Sequence, residues 1–285
     1  MNVKSLIILA LNLTAAIAVA QEHPYAKIKP MLPKLEPLPF GSVRPTGWLK
    51  QQIDQNLAGF TGHLDSLAPD LIIHDDIYVN DRLSKKVKNK EVGALAHGDD
   101  VQVQFLWWNS ETQSNWRDGY IRSAILAQDQ THLKRVQRYI DKILASQDVD
   151  GYLGIYDPEL RYKFDNENGE LWAQTTLLRG LLAWYDYTKS PKLLEAIKMS
   201  AGNTMNGFPI GKSHPFYSKN PNVGGLSHGL AYTDVMESLY VITKNRKYLD
   251  YGLFLYKDFS SQILNEDAQF SKLLKEDLAL KGHGV

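Results

Sequence analysis

The chain has 285 residues, 32 Lys plus Arg balanced by 32 Asp plus Glu, and no cysteine. A net charge of zero without a basic stripe argues against nucleic acid as a partner. The missing thiols exclude disulfides, thiolate metal sites and cysteine nucleophiles within this chain, so its core must hold without covalent staples.

At the N-terminus Lys4 precedes an apolar run from Leu6 to Val19, interrupted by Asn12 and Thr14. The run ends in Ala18-Val19-Ala20 and turns polar at Gln21-Glu22-His23. Such a charge, an apolar stretch and a small-x-small site make a secretory signal peptide over 1–20. The run is shorter than the roughly 20 apolar residues a membrane span needs. The mature protein is therefore expected to be exported, periplasmic or extracellular, and free of the membrane after cleavage. Residues 21–46 carry six prolines and little periodicity, which predicts an extended lead-in.

From there the pattern is helical. Trp48, Ile53, Leu57 and Phe60 predict a helix over 48–60, followed by an irregular region over 61–99 with a polar loop at 81–91. Helices are predicted over 103–127, 132–146, 170–187, 191–206, 228–243, 246–264 and 268–278, about eight in all. Three junctions repeat: Asp129-Gln130-Thr131-His132-Leu133, Thr188-Lys189-Ser190-Pro191-Lys192-Leu193 and Thr243-Lys244-Asn245-Arg246-Lys247. Each is a short polar turn between two amphipathic helices, and they recur at about 55–60 residues, the sign of stacked helical hairpins. The fold class expected is all-α, an (α/α)6-toroid-like set of hairpins over 47–285. Eight helices fall short of the twelve of a closed ring, so the toroid is expected to be incomplete, with the chain truncated at its C-terminal side.

The richest segment runs from Phe105 to Tyr120 and contains Trp107-Trp108-Asn109-Ser110-Glu111 and Trp116-Arg117-Asp118. Sugars are bound by flat aromatic faces and carboxylates, and Trp108, Glu111 and Asp118 supply both. Glu111 and Asp118 lie seven apart, about two turns, so one helical face could carry both. The plainer alternative puts Trp107 and Trp116 in the core and pairs Glu111 or Asp118 with Arg117 or Arg122. A second motif, Gln147-Asp148-Val149-Asp150-Gly151-Tyr152-Leu153-Gly154, follows a helix end. Its Asp-Gly step favours a turn with positive φ, and Asp150 and Tyr152 are expected to face a cavity. His228 opens a helix after Gly224-Gly225, and His283 sits between two glycines. The candidate substrate-binding set is thus Trp108, Glu111, Asp118, Asp150, Tyr152, His228 and His283. No histidine spacing suggests a metal site, and no phosphate loop, nucleophile elbow or dinucleotide fingerprint is present.

The stretches Pro37 to Leu49 (with Pro45-Thr46-Gly47-Trp48-Leu49), Trp107 to Arg122, Gln147 to Leu153, Asn245 to Leu249 and Gly282-His283-Gly284-Val285 resemble, in that order, the β-L-arabinofuranosidase-like enzymes of glycoside hydrolase family 127. The resemblance implies an (α/α)6 barrel followed by β-sandwich material, and hydrolysis of glycosidic bonds in plant-type or glycan-derived oligosaccharides. It also implies an acid/base Glu and a zinc-bound Cys nucleophile C-terminal to the Gly-His-Gly-Val segment. Neither can be placed in this chain, so the catalytic residues are expected beyond Val285, with no cofactor in this chain and any zinc site outside it. Two other readings stand beside this one. One is a polysaccharide lyase or unsaturated-uronide hydrolase on a similar toroid, and the other a non-catalytic periplasmic helical-repeat binding protein. The sequence does not set the oligomeric state.

Overall fold

The computed structural model describes residues 28–31, 34–74, 76–84, 107–163, 169–217 and 227–262. Residues from Glu36 onward form one unit. Of the preceding residues, only 28–31 and 34–35 are described, and they carry neither helix nor strand. The signal peptide at 1–20, the polar loop beyond 84 and the helix expected at 268–278 lie outside the described residues.

Among the described residues there are eight α-helices: α1 Gly47–Ala58, α2 Phe60–Leu67, α3 Trp107–Ala127, α4 Gln130–Ala145, α5 Glu170–Thr188, α6 Pro191–Gly207, α7 Tyr232–Thr243 and α8 Arg246–Gln262. A π-turn at Asp70–His74 follows α2, and a 3-10 turn at Gly229–Ala231 leads into α7. The described residues contain no strand, only an isolated parallel bridge between Leu83 and Tyr156. None of the described helices is long and apolar enough to cross a membrane.

The helices α3–α4, α5–α6 and α7–α8 form three successive hairpins. Helix α5 packs on α3 to one side and on α7 to the other. Its burial follows from that position: thirteen of its residues are buried, around most of its circumference, including Leu171, Leu177, Leu178, Leu181 and Trp184. Helix α4 buries only the stripe Leu133, Val136, Ile140 and Ile143. A helix apolar all round lies between neighbours, whereas a single stripe marks one covered face. Helices α3, α5 and α7 therefore form an inner arc, and α4, α6 and α8 return outside it. Over the described residues this is an incomplete helical toroid with three such hairpins.

The three repeating turns share one backbone solution. Gln128, Lys189 and Lys244 each take a left-handed conformation, with φ of 55°, 52° and 56°. The next residue then caps the outer helix: Asp129 accepts from the Thr131 and His132 amides, Ser190 from that of Leu193, and Asn245 from that of Lys247. Short polar side chains serve here because they satisfy amides that the first helical turn leaves orphaned.

The region after 47 differs from expectation. The helix predicted over 48–60 is two helices, broken at Gly59, and the segment expected to be irregular begins with α2. Gly62 explains the close join: a Cβ there would come within 1.8 Å of the Leu57 carbonyl oxygen. Phe60 and Leu67 of α2 are exposed, so α2 shows little apolar periodicity in the sequence.

Candidate functional site

Hairpin geometry puts the short turns at one end of the arc and the N-termini of α3, α5 and α7 at the other. Contacts between those N-termini are direct. Gly169, before α5, lies against the Trp107 ring at the start of α3, where a Cβ would approach within 2.6 Å. The rings of Trp172 in α5 and His228 before α7 lie 5.3 Å apart. The described parts of the long connections, 146–163 and 208–217 among them, lead from the outer-helix ends at this same end, which makes it the mouth of the arc.

The motif around Asp150-Gly151-Tyr152-Leu153-Gly154 forms a tongue at the mouth. The Asp150 carboxylate accepts from the Tyr152 amide at 3.1 Å, closing the turn. Gly151 has φ of 91° and presses on α6, where a Cβ would meet the Met199 carbonyl oxygen at 2.7 Å. Both facts demand glycine. Gly154 is required for a different reason. A Cβ there would lie 2.5 Å from the Tyr152 hydroxyl and 3.1 Å from Glu170 Oε1.

Those two atoms form the centre of a buried network. The Tyr152 hydroxyl donates to Glu170 Oε1 at 2.8 Å and accepts from the Tyr156 amide at 3.0 Å. Gln174 Nε2 donates to the same Glu170 oxygen at 2.9 Å, and Gln174 Oε1 accepts from Thr204 of α6 at 2.6 Å. The Tyr162 hydroxyl accepts from Gln174 and donates to Asn203. The network thus joins the tongue, α5 and α6. Burial pushes the Glu170 carboxyl above the usual carboxylate range, against hydrogen bonds from Gln174 and Tyr152 that favour its ionised form. Burial also raises the Tyr152 hydroxyl well above its ordinary value, with Glu170 adding to the shift.

On the other face of the Tyr152 ring, the Arg161 guanidinium stacks at 3.7 Å from the centroid. Arg161 also binds Asp148 and donates to the Tyr156 carbonyl at 3.0 Å. Arg82 shares Asp148 at 2.8 Å and donates to the Ser146 carbonyl at 2.7 Å. Burial alone would raise the Asp148 pKa, but the hydrogen bonds from Arg161 and Arg82 outweigh it and hold the carboxylate below its usual range. Behind the tongue, buried Asp76 pairs with Arg117 of α3 at 3.2 Å and Lys142 of α4 at 3.1 Å. On the α6 side, the Asp258 carboxylate of α8 accepts from the Phe216 amide at 3.0 Å and meets His214 at 2.7 Å, pinning the next connection. A small gap between α3, α4 and α5 is lined by Arg117, Tyr120 and Tyr139 together with apolar side chains such as Ile121, Ile140 and Leu181.

The sequence model of the β-L-arabinofuranosidase GH127 catalytic domain matches residues 75–274. The chain belongs to this family. No curated protein matches it. Among solved structures it is similar to a GH127 β-L-arabinofuranosidase from Geobacillus stearothermophilus T6, with 17% identity and a TM-score of 0.54 over 76% of this chain and 32% of that one. At that identity the likeness shows the fold, and the chain spans about a third of that enzyme's length.

Within this family framework, the seven expected site residues separate. Glu111 lies half-buried near the mouth end of α3, and His228 lies just before the 3-10 turn that leads into α7, beside Trp172. Trp108 falls in the first turn of α3 with its side chain outside the described set, and His283 lies outside the described residues. Asp118 sits deeper along α3 and pairs with Arg122 at 2.7 Å and Arg179 at 4.0 Å, which ties α3 to α5. It does not join Glu111 at the mouth. Asp150 is exposed, half-occupied with its own turn and 3.6 Å from Arg161. Tyr152 does not face a cavity. It is fully buried, because its hydroxyl reaches Glu170 and its ring lies under Arg161.

Trp107 and Trp116 are core residues. Glu170, Gln174 and Trp172 were not singled out by sequence. Glu170 reads as an ordinary acid in a first helical turn, where the helix dipole favours it. The one local hint was the second glycine, Gly154. A zinc–thiolate centre of the kind the resemblance implies finds no donors in a chain without cysteine. Among the described residues, no group of three His, Asp or Glu is placed to hold a metal ion.

Proposed function

We propose that this chain is the substrate-facing wall of an exported, β-L-arabinofuranosidase-like glycoside hydrolase that acts on plant-type or glycan-derived oligosaccharides. The observation that carries this reading is the match of the GH127 catalytic domain over residues 75–274. The arc supports it physically. Its long connections gather at one end, where Glu111, Trp172 and His228 offer a carboxylate and ring faces of the kind a sugar needs. In this reading the acid/base carboxyl and the zinc-held thiolate come from outside this chain, and the chain alone binds sugar without turning it over. The signal-like segment at 1–20 supports export to the periplasm or beyond.

The test is hydrolysis of an aryl β-L-arabinofuranoside by this chain and by a version extended to the length of the solved relative. Turnover is expected only in the extended version. Equal turnover by the 285-residue chain would overturn the division of labour, and no turnover by either would overturn the activity. Export is checked by intact mass after secretion, with the mature chain expected to begin at Gln21.

A further inference from the structure

We propose that Glu170 is a positioning residue for the mouth: through Tyr152 it sets the seat of the 150–156 tongue against α5 and α6. The inference rests on the functional reading above for what the mouth does, but its geometry stands alone. Glu170 is 1% exposed and is an acceptor shared by the tongue, through Tyr152, and by the inner helix, through Gln174. Gln174 passes the link to Thr204, and Asn203 of α6 closes the circuit by donating to the Asp150 carbonyl at 3.2 Å. The tongue has little freedom to sit elsewhere, because Gly151 touches Met199 and Gly154 touches Tyr152 and Glu170.

Burial holds the Glu170 carboxyl above the usual carboxylate range, so ionisation strains this seat more than it would an exposed acid. Among the described residues, the titratable or charged groups facing it are Tyr152 and Arg161 from the tongue segment, Tyr162 beyond it, and Tyr232 from α7. Ionisation in this setting must be relieved by a cation or by water. Arg161 is the cation at hand, but it lies across the Tyr152 ring and is bound to Asp148 and the Tyr156 carbonyl. Moving it to Glu170, or admitting water, displaces Tyr152 and with it the tongue.

The experiment follows tryptic cleavage after Arg161, a buried residue whose guanidinium lies on the Tyr152 ring of the tongue and is freed when the tongue opens. Rates in the full chain are measured from mildly acid to mildly alkaline pH and normalised to an unstructured peptide cleaved alongside. Wild type is expected to open with rising pH by about tenfold or more. Glu170→Gln, which keeps an acceptor but cannot ionise, is expected to stay closed across the range. Glu170→Ala is expected to be open throughout, with Tyr152→Phe in between. A Gln variant that opens with pH as wild type does, or an Ala variant as protected as wild type, overturns the proposal. Binding of methyl β-L-arabinofuranoside, followed on the extended version, separates the two readings. Affinity that falls with tongue opening supports both. Cleavage that tracks Glu170 in protein that binds no arabinofuranoside supports the seat and overturns the glycosidase reading.

Discussion

At the turn end of the hairpins, Gln128-Asp129, Lys189-Ser190 and Lys244-Asn245 solve one problem three times with neighbours in sequence: a left-handed residue followed by a cap. At the mouth end, Tyr152, Glu170, Gln174 and Thr204 come from the tongue and two helices to satisfy one another. The first design is local and redundant, so each turn stands by itself. The second is shared, so losing one member leaves buried partners stranded. The two ends should therefore respond differently to mutation and to pH.

The largest effect is expected where the pairing is both buried and shared. Asp76→Ala removes the carboxylate that faces Arg117 and Lys142 and leaves the Arg117 guanidinium buried between the Tyr139 and Tyr78 rings. Breaking one side of such a pair costs about 3–5 kcal/mol, which chemical denaturation would register. A loss near zero would show that solvent reaches the Arg117 guanidinium once the carboxylate is gone. Gly154→Ala comes next. Its methyl would press on the Tyr152 hydroxyl, for a loss of about 1–3 kcal/mol in the same assay. At the turn end, Asp129→Ala removes one cap and is expected to cost only about 1 kcal/mol, since Ser190 and Asn245 are untouched.

The pH responses run in opposite directions. Glu170 binds its proton more tightly in the folded state than in the unfolded chain. Its contribution is full below the ordinary carboxylate value and is lost as pH rises towards the raised one. His132, beside the Asp129 turn, is the reverse case. Burial depresses its pKa, helped by Arg135 and His63 and opposed by Asp129. Its contribution is full above the ordinary histidine value of about 6.5 and is lost as pH falls below it. Melting curves of Glu170→Gln and His132→Gln should flatten the loss of stability with rising pH and with falling pH respectively. A single variant that flattens both would merge the two ends into one unit.

The same contrast explains what the sequence made legible. The hairpins, their spacing and their caps are encoded in adjacent residues, so Asp129, Ser190 and Asn245 could be found by reading along the chain. The positive φ of Gly151 was equally local, since an Asp-Gly step announces it. Tyr152 was assigned to a cavity because a loop tyrosine after a turn gives no sign of a partner eighteen residues away. Glu170 was missed because an acid in a first helical turn needs no further explanation. Asp118 looked like a partner for Glu111 along one face, but Arg122 and Arg179 claim it. The division of α1 from α2 was hidden by apolar residues that point outward, Phe60 and Leu67 among them.

Hydrogen exchange followed residue by residue, in wild type, Glu170→Ala and Asp129→Ala, addresses the difference between the two ends most directly. The expected result is that Glu170→Ala accelerates exchange across 148–162 and at the start of α5 and leaves 128–133 unchanged, while Asp129→Ala does the reverse. Uniform acceleration over both regions in either variant would contradict it, because the mouth and the turns would then open as one.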